Sequence, residues 1–292
     1  MLTLTALITK ASQGAQKMAT TVTYRTNTAD DRFETALVVE SGGMGRLSVG
    51  SNRGQPTWPI GRFEAPLPAP LVQQLATALG GAFPGSPSQD TLIPDESFRE
   101  IRAAGAGAPL VKRVGEQLAT PAPFAAAEQV IGRIIEHVRK YPQIAVDVTL
   151  SGLPKQVPAG TPRYIDVTLL NVGRHPFYLA PSAVWGKKGW QGELAALRSD
   201  IPAAQLGSAH QKFVQLNAAN FIGLGPAQPA GPVLLQPGIP IAARFQDAFA
   251  WPPGHYNAEA AITLQLLSET DEPLFTGSAV TAPRSIEVQP RR

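Results

Sequence analysis

Apolar and polar positions alternate along much of the second half of the chain. Tyr256, Ala258, Ala260, Ile262, Leu264 and Leu266 interleave with Asn257, Glu259, Ala261, Thr263 and Gln265. A period of two puts one set on each face of a strand. The same reading gives strands at Ile144 to Leu150, Ile165 to Leu169, Phe213 to Leu216, Val233 to Leu235, Ile239 to Phe245 and Ser285 to Val288. Pro237-Gly238 and Pro253-Gly254 supply turns just ahead of two of them.

The first half mixes two periods. Residues 20–26, Phe33 to Glu40 and Gly45 to Val49 predict three strands of an antiparallel meander, with Gly42-Gly43-Met44-Gly45 in a hairpin turn. Pro68 to Leu79 predicts a helix, with Leu71, Val72, Leu75 and Leu79 on one face. A second helix is expected from about Pro123 to Tyr141, because Phe124, Ala127, Ile131, Ile134, Ile135, Val138 and Tyr141 recur at steps of three and four. Glu128 lies near its start and Arg139 and Lys140 near its end, as the helix dipole prefers, and Glu136 is spaced to pair with Lys140. Asp95 to Ala103 and Glu193 to Leu197 are expected as short helices, the latter inside an insertion between Gly186 and Gln211.

These elements imply a 1–19 N-terminal extension, an α+β domain over 20–142 with a small antiparallel sheet and helices, and an all-β sandwich over 143–292. Composition agrees with a turn-rich globular chain. In 292 residues there are 27 Gly and 28 Pro, 43% hydrophobic and only 16% charged residues. The net charge of +3, with no run of Lys or Arg longer than two, argues against nucleic acid as a partner. Cysteine is absent, which excludes disulfides, thiolate metal sites and cysteine nucleophiles. The apolar start from Met1 to Ile8 is short and followed rather than preceded by Lys10, so neither a signal peptide nor a membrane span is expected, and the cytoplasm is the expected location, with an exported or virion-like assembly as the alternative.

Residues 144–288 resemble bacterial immunoglobulin-like β-sandwich domains. The resemblance rests on Val157-Pro158-Ala159-Gly160 ahead of the Ile165 to Gly173 stretch, on Leu235-Gln236-Pro237-Gly238, and on Trp251-Pro252-Pro253-Gly254-His255-Tyr256 leading into the long alternating strand. It implies that Tyr256 is a structural corner tyrosine, its hydroxyl bonded to backbone a few residues upstream. The N-terminal half resembles no recognised family.

Catalytic signals are sparse. His137, His175, His210 and His255 are scattered, no Gly-x-Ser-x-Gly or phosphate-loop pattern occurs, and the carboxylate pairs Asp30-Asp31, Asp95-Glu96 and Asp271-Glu272 sit in polar loops. No cofactor, metal or catalytic residue is assigned. The distinctive stretch is Trp185-Gly186-Lys187-Lys188-Gly189-Trp190, where two tryptophans flank two lysines in a Gly-rich loop. Trp185, Lys187, Lys188 and Trp190 are the expected partner-binding residues, set against the alternative that the rings fill the core. The expectation is a non-catalytic bacterial protein–protein interaction protein, either an inhibitor or immunity-like binder or a subunit of a larger homo- or hetero-oligomeric, phage-like or secretion assembly. A hydrolase with a site in the N-terminal domain or at an interdomain cleft is the rival.

Overall fold

The computed structural model describes residues 21–27, 33–80, 97–104, 110–115, 119–224 and 231–291. The expected 1–19 extension, Asp30-Asp31 and Asp95-Glu96 lie outside them. The chain divides into two compact units, Met1–Leu47 with Glu64–Lys140, and Ser48–Phe63 with Tyr141–Arg292.

The first unit builds its sheet from β1 (Thr21–Asn27), β2 (Phe33–Val39), the first part of β3 (Met44–Val49), the last part of β4 (Ile60–Pro66), β5 (Phe98–Ala104) and β6 (Leu110–Gly115), in the order β4-β3-β2-β1-β5-β6. Alternation puts Val22, Tyr24, Leu37, Val39, Leu47, Ile101 and Ala103 in the core. Helices α1 (Ala69–Gly80) and α2 (Ala122–Val138) pack on each other. Phe124, Ala127, Val130, Ile131, Ile134, Ile135 and Val138 form the buried stripe of α2. Pro123 sits in its first turn, where a missing N–H costs nothing, and Pro142 forbids continuation. Glu128 does more than favour the helix dipole. It accepts a hydrogen bond from the Tyr24 hydroxyl at 3.0 Å and pairs with Arg99 at 2.6 Å, fastening α2 to the sheet. Glu136 pairs with Arg139 at 2.7 Å, one residue earlier than expected.

The second unit is a sandwich of two sheets. One carries Ile60–Phe63 of β4, then β7 (Pro142–Gly152), β9 (Arg163–Asn171), β15 (Pro240–Asp247) and β13 (Phe221–Gly223), all neighbours antiparallel. The other runs β12 (Gln211–Leu216), β11 (Trp190–Arg198), β16 (Gly254–Leu267), β10 (Phe177–Leu179) and β14 (Val233–Leu235), with β17 (Pro273–Val280) and β18 (Arg284–Gln289) on the far side of β16 and β8 (Gln156–Pro158) parallel to β18. The even positions of β16 from Tyr256 to Leu266 are buried, as the alternation predicts.

The expected fold class is overturned. There is no distinct α+β N-terminal domain followed by an all-β one; the chain is mostly strand, in large antiparallel sheets, with two α-helices among the described residues. Three local causes account for the difference. Residues 48–63, placed by sequence in the first domain, belong to the second unit. There Gly50 O accepts from Ser278 N at 2.8 Å, and Asn52 is 3% exposed. Its Oδ1 accepts from Val280 N at 2.6 Å, while its Nδ2 donates to Trp58 O at 2.9 Å and Pro56 O at 3.4 Å. Of the expected helix at Asp95 to Ala103, the described part from Phe98 onward is instead strand β5, paired with β1 and β6. Phe98 and Ile101, three apart, share a face only in a helix; in the strand they point to opposite faces, and Ile101 goes to the core with Ala103, two residues on. The expected helix at Glu193 to Leu197 is strand β11, whose inward residues Trp190, Gly192, Leu194 and Ala196 alternate perfectly, but two of them are too small to reveal it.

A second buried amide, Asn171, ties the two sheets of the sandwich. It donates to His175 O and to Leu235 O, both at 2.9 Å, and accepts from Gly173 N at 2.8 Å. Each amide satisfies backbone groups that neither sheet ladder reaches.

Candidate functional site

The Trp185 to Trp190 stretch is a core feature. Trp185 and Trp190 are 2% and 0% exposed and stack with centroids 4.4 Å apart. Phe221 meets Trp185 edge-on at 4.9 Å, and Phe245 lies 5.8 Å from Trp190, so rings from both sheets interlock. Each indole N–H is satisfied internally, Trp185 by Ala180 O at 2.9 Å and Trp190 by Leu216 O at 2.8 Å. Gly192 makes room for Trp190; a Cβ there would lie 2.8 Å from its Nε1. The tryptophans therefore cannot touch a partner, which corrects their assignment as binding residues. Lys187 and Lys188 remain exposed on the connecting turn, and Lys188 pairs with Asp271 at 3.3 Å. The turn exists because Gly186 and Gly189 take φ of 91° and 72°, where other residues are strained.

Tyr256 is fully buried, and its hydroxyl donates to Pro252 O at 2.7 Å. Trp251 and Phe249 continue the aromatic cluster from it, and the Arg198 guanidinium lies 5.4 Å from its ring. Arg198 is held in turn by two hydrogen bonds to Asp200, at 2.6 and 2.7 Å, which hold the Asp200 carboxyl down to about 2. Gly254 leaves space for this guanidinium, since a Cβ there would come within 2.4 Å of it. The arrangement is a brace that ties the end of β11 to the buried Tyr256 ring.

Two exposed features of the second unit offer surfaces instead. The first is the edge strand β12, which pairs with β11 on one side. Phe213 stands on its outer face 56% exposed, opposite Ala195 and beside Leu197, itself 38% exposed. The second is an open groove of about 580 Å³ at the other margin of the same sheet, lined by the end of β7, β8, β18 and the start of β16. Leu150, Leu153 and Ile286 give it an apolar floor, and Lys155, Arg284 and His255 stand at its rim. Its carboxylate, Glu287, accepts from Gln156 at 2.9 Å and from Gln289 at 3.4 Å.

Sequence reasoning missed both surfaces. The apolar run Leu194-Ala195-Ala196-Leu197 is the signal for the first, because apolar residues on both faces of a half-buried strand expose one set. The groove left no signal, since its basic residues come from three distant segments. Among the described residues no group of three or more His, Asp or Glu is arranged to hold a metal ion, and no helix is long and apolar enough to cross a membrane.

No family model matches the chain, and no curated protein matches it. Solved structures are similar over about half of it. The putative ApaA protein from Bordetella pertussis is 14% identical, covering 50% of this chain and 96% of that one with a TM-score of 0.28. A PapD-like domain of human CEP192 is 11% identical, covering 50% and 87%, with a TM-score of 0.25. A beta-glucosidase from Listeria innocua is 14% identical, covering 52% and 18%, with a TM-score of 0.25. At these scores no function passes from any of them to this chain.

Proposed function

We propose that this protein is a non-catalytic interaction protein whose sandwich unit grips a protein partner along the edge strand β12. The observation that carries the reading is the exposed Phe213 beside Leu197 on an edge strand that pairs only with β11 among the described residues. An edge strand presents free N–H and C=O groups that a partner strand can satisfy. A large exposed ring beside it adds the apolar burial that interface centres use. Natural edges are usually blunted by charge or proline. Here Lys212 is the single charge on β12, and its ammonium donates to Ala209 O at 3.1 Å, within the chain. An inhibitor or an assembly subunit would both use such an edge.

The test is capture of the partner from the native host by wild-type protein and by the Phe213→Glu, Leu197→Lys double variant. Both positions are surface sites, so the melting temperature is expected to stay close to wild type. Capture should fall about thirtyfold, the effect of losing a hot-spot residue worth about 2 kcal/mol. Undiminished capture would reject the edge as the contact, and turnover of a metabolite by purified protein would reject the non-catalytic reading.

A further inference from the structure

The groove at the opposite margin of that sheet carries a separate inference. We propose that it binds a short acidic peptide segment of a partner, with carboxylates at its rim and apolar side chains on its floor. Three features of the groove point to that class of ligand.

Charge is the first. Lys155 and Arg284 are both exposed and pair with no carboxylate among the described residues. Against these two cations stands one anion, Glu287, whose oxygens already accept from Gln156 and Gln289. An incoming carboxylate thus meets cations that are free and a carboxylate that is tied back. Complementarity of this kind steers encounter and fixes register.

Shape is the second. About 580 Å³ is far more than a free inorganic anion fills, and it lies within the usual range for sites that enclose an organic ligand. Leu153, half-buried over the covered side chains of Leu150 and Ile286, offers apolar surface that a bare ion has no use for and that the side chain of a peptide residue would cover.

Rigidity is the third. The backbone beneath Lys155 is pinned, its carbonyl accepting from Glu287 N at 2.9 Å, and β8 runs parallel to β18 through Gln156 and Val157. Ser285 at the rim is held by Asn257 at 3.1 Å, and Ser151 by the Thr168 hydroxyl at 2.7 Å. Arg284 is thus presented by strand β18, and Lys155 by a bend whose carbonyl is fixed directly ahead of β8, which lowers the ordering cost of binding.

The experiment is fluorescence anisotropy with a short labelled peptide alternating leucine and glutamate, a leucine–lysine peptide as control, and inorganic phosphate as competitor at constant ionic strength. Saturable binding of the acidic peptide alone is expected. The double variant Lys155→Glu, Arg284→Glu should weaken it by about tenfold or more, with an unchanged circular dichroism spectrum showing that the fold survives. The Leu153→Ser variant should also weaken it, with both cations intact. The edge variant at Phe213 and Leu197 should bind the peptide as wild type does, which separates this inference from the edge-strand reading. Absence of binding, equal binding of both peptides, or indifference to the charge reversal would overturn the proposal. Displacement by phosphate alone would overturn it too, since it would mark a site for free anions.

Discussion

The two units solve the same problem with different polar groups. Each must carry polar atoms into its packed interior. The first unit does so with carboxylates. Glu128 fastens Tyr24 and Arg99, and Glu100, 2% exposed, is gripped by Arg102 and by Arg113, the latter at 2.6 Å. The second unit does so with neutral amides, Asn52 and Asn171, set among stacked aromatic rings. The difference makes the buried polar contacts of one unit sensitive to protonation and those of the other sensitive to shape.

Removing a ring from the second unit should have the largest effect. Trp190→Ala deletes one half of the stacked pair, opens a cavity against Phe245 and orphans Leu216 O. A loss of about 3–5 kcal/mol is expected by urea denaturation. A loss under about 1 kcal/mol would mean that the aromatic core is not what holds the sandwich together.

An amide should matter next. Asn52→Ala leaves Val280 N–H and Trp58 C=O without their partner in a buried setting. About 2–3 kcal/mol should be lost, and the loss should be the same at pH 4 and pH 7, because no ionisable group is involved. A strongly pH-dependent loss would break the contrast between the units.

The smallest effect at neutral pH, and the sharpest in acid, should come from Glu100→Gln. Burial pushes the Glu100 carboxyl up, but the hydrogen bonds and charges of Arg102 and Arg113 outweigh it and leave it below its ordinary value of 4.5. A carboxyl depressed in the folded state contributes stability above its unfolded value and loses it as pH falls through the folded one. The wild type should therefore lose this contribution only as pH drops below about 4.5, while the variant, destabilised by about 1–2 kcal/mol at pH 7, should show a flatter acid limb. Parallel acid limbs would show that the carboxylate carries none of the sensitivity. At the alkaline end, burial and then the Glu128 charge drive the Tyr24 phenol well above its usual range, so it stays protonated in the folded unit.

Elements with long or unambiguous periodicity were legible in the sequence. The fourteen residues of β16 and the stripe of α2 needed no tertiary information. Short elements did not yield. Over the seven residues of β5 the large apolar pair Phe98 and Ile101 has helical spacing, while the strand's own inward pair ends in the small Ala103, and only pairing with β1 and β6 decides. Trp185 and Trp190, with lysines and glycines around them, left a surface pair and a pair of core rings both open in the sequence. Their burial depends on Phe221 and Phe245, which arrive tens of residues later. Asn52 carried no local hint at all, for its main-chain partner Val280 is 228 positions away. The groove is invisible for the same reason, since Lys155, His255 and Arg284 meet only after the sheet forms.

The Asn52 link also has a consequence in time. A ribosome releases residues 48–63 long before β17 exists, so this segment must wait with its polar groups in water until Pro273–Val280 have emerged. Such distant pairing slows the final assembly step, and it leaves a late window in which β17 has an open margin toward a neighbouring nascent chain. Synthesis truncated before Val280 is therefore expected to leave the 48–63 segment open to protease, and completion of β17 to close it.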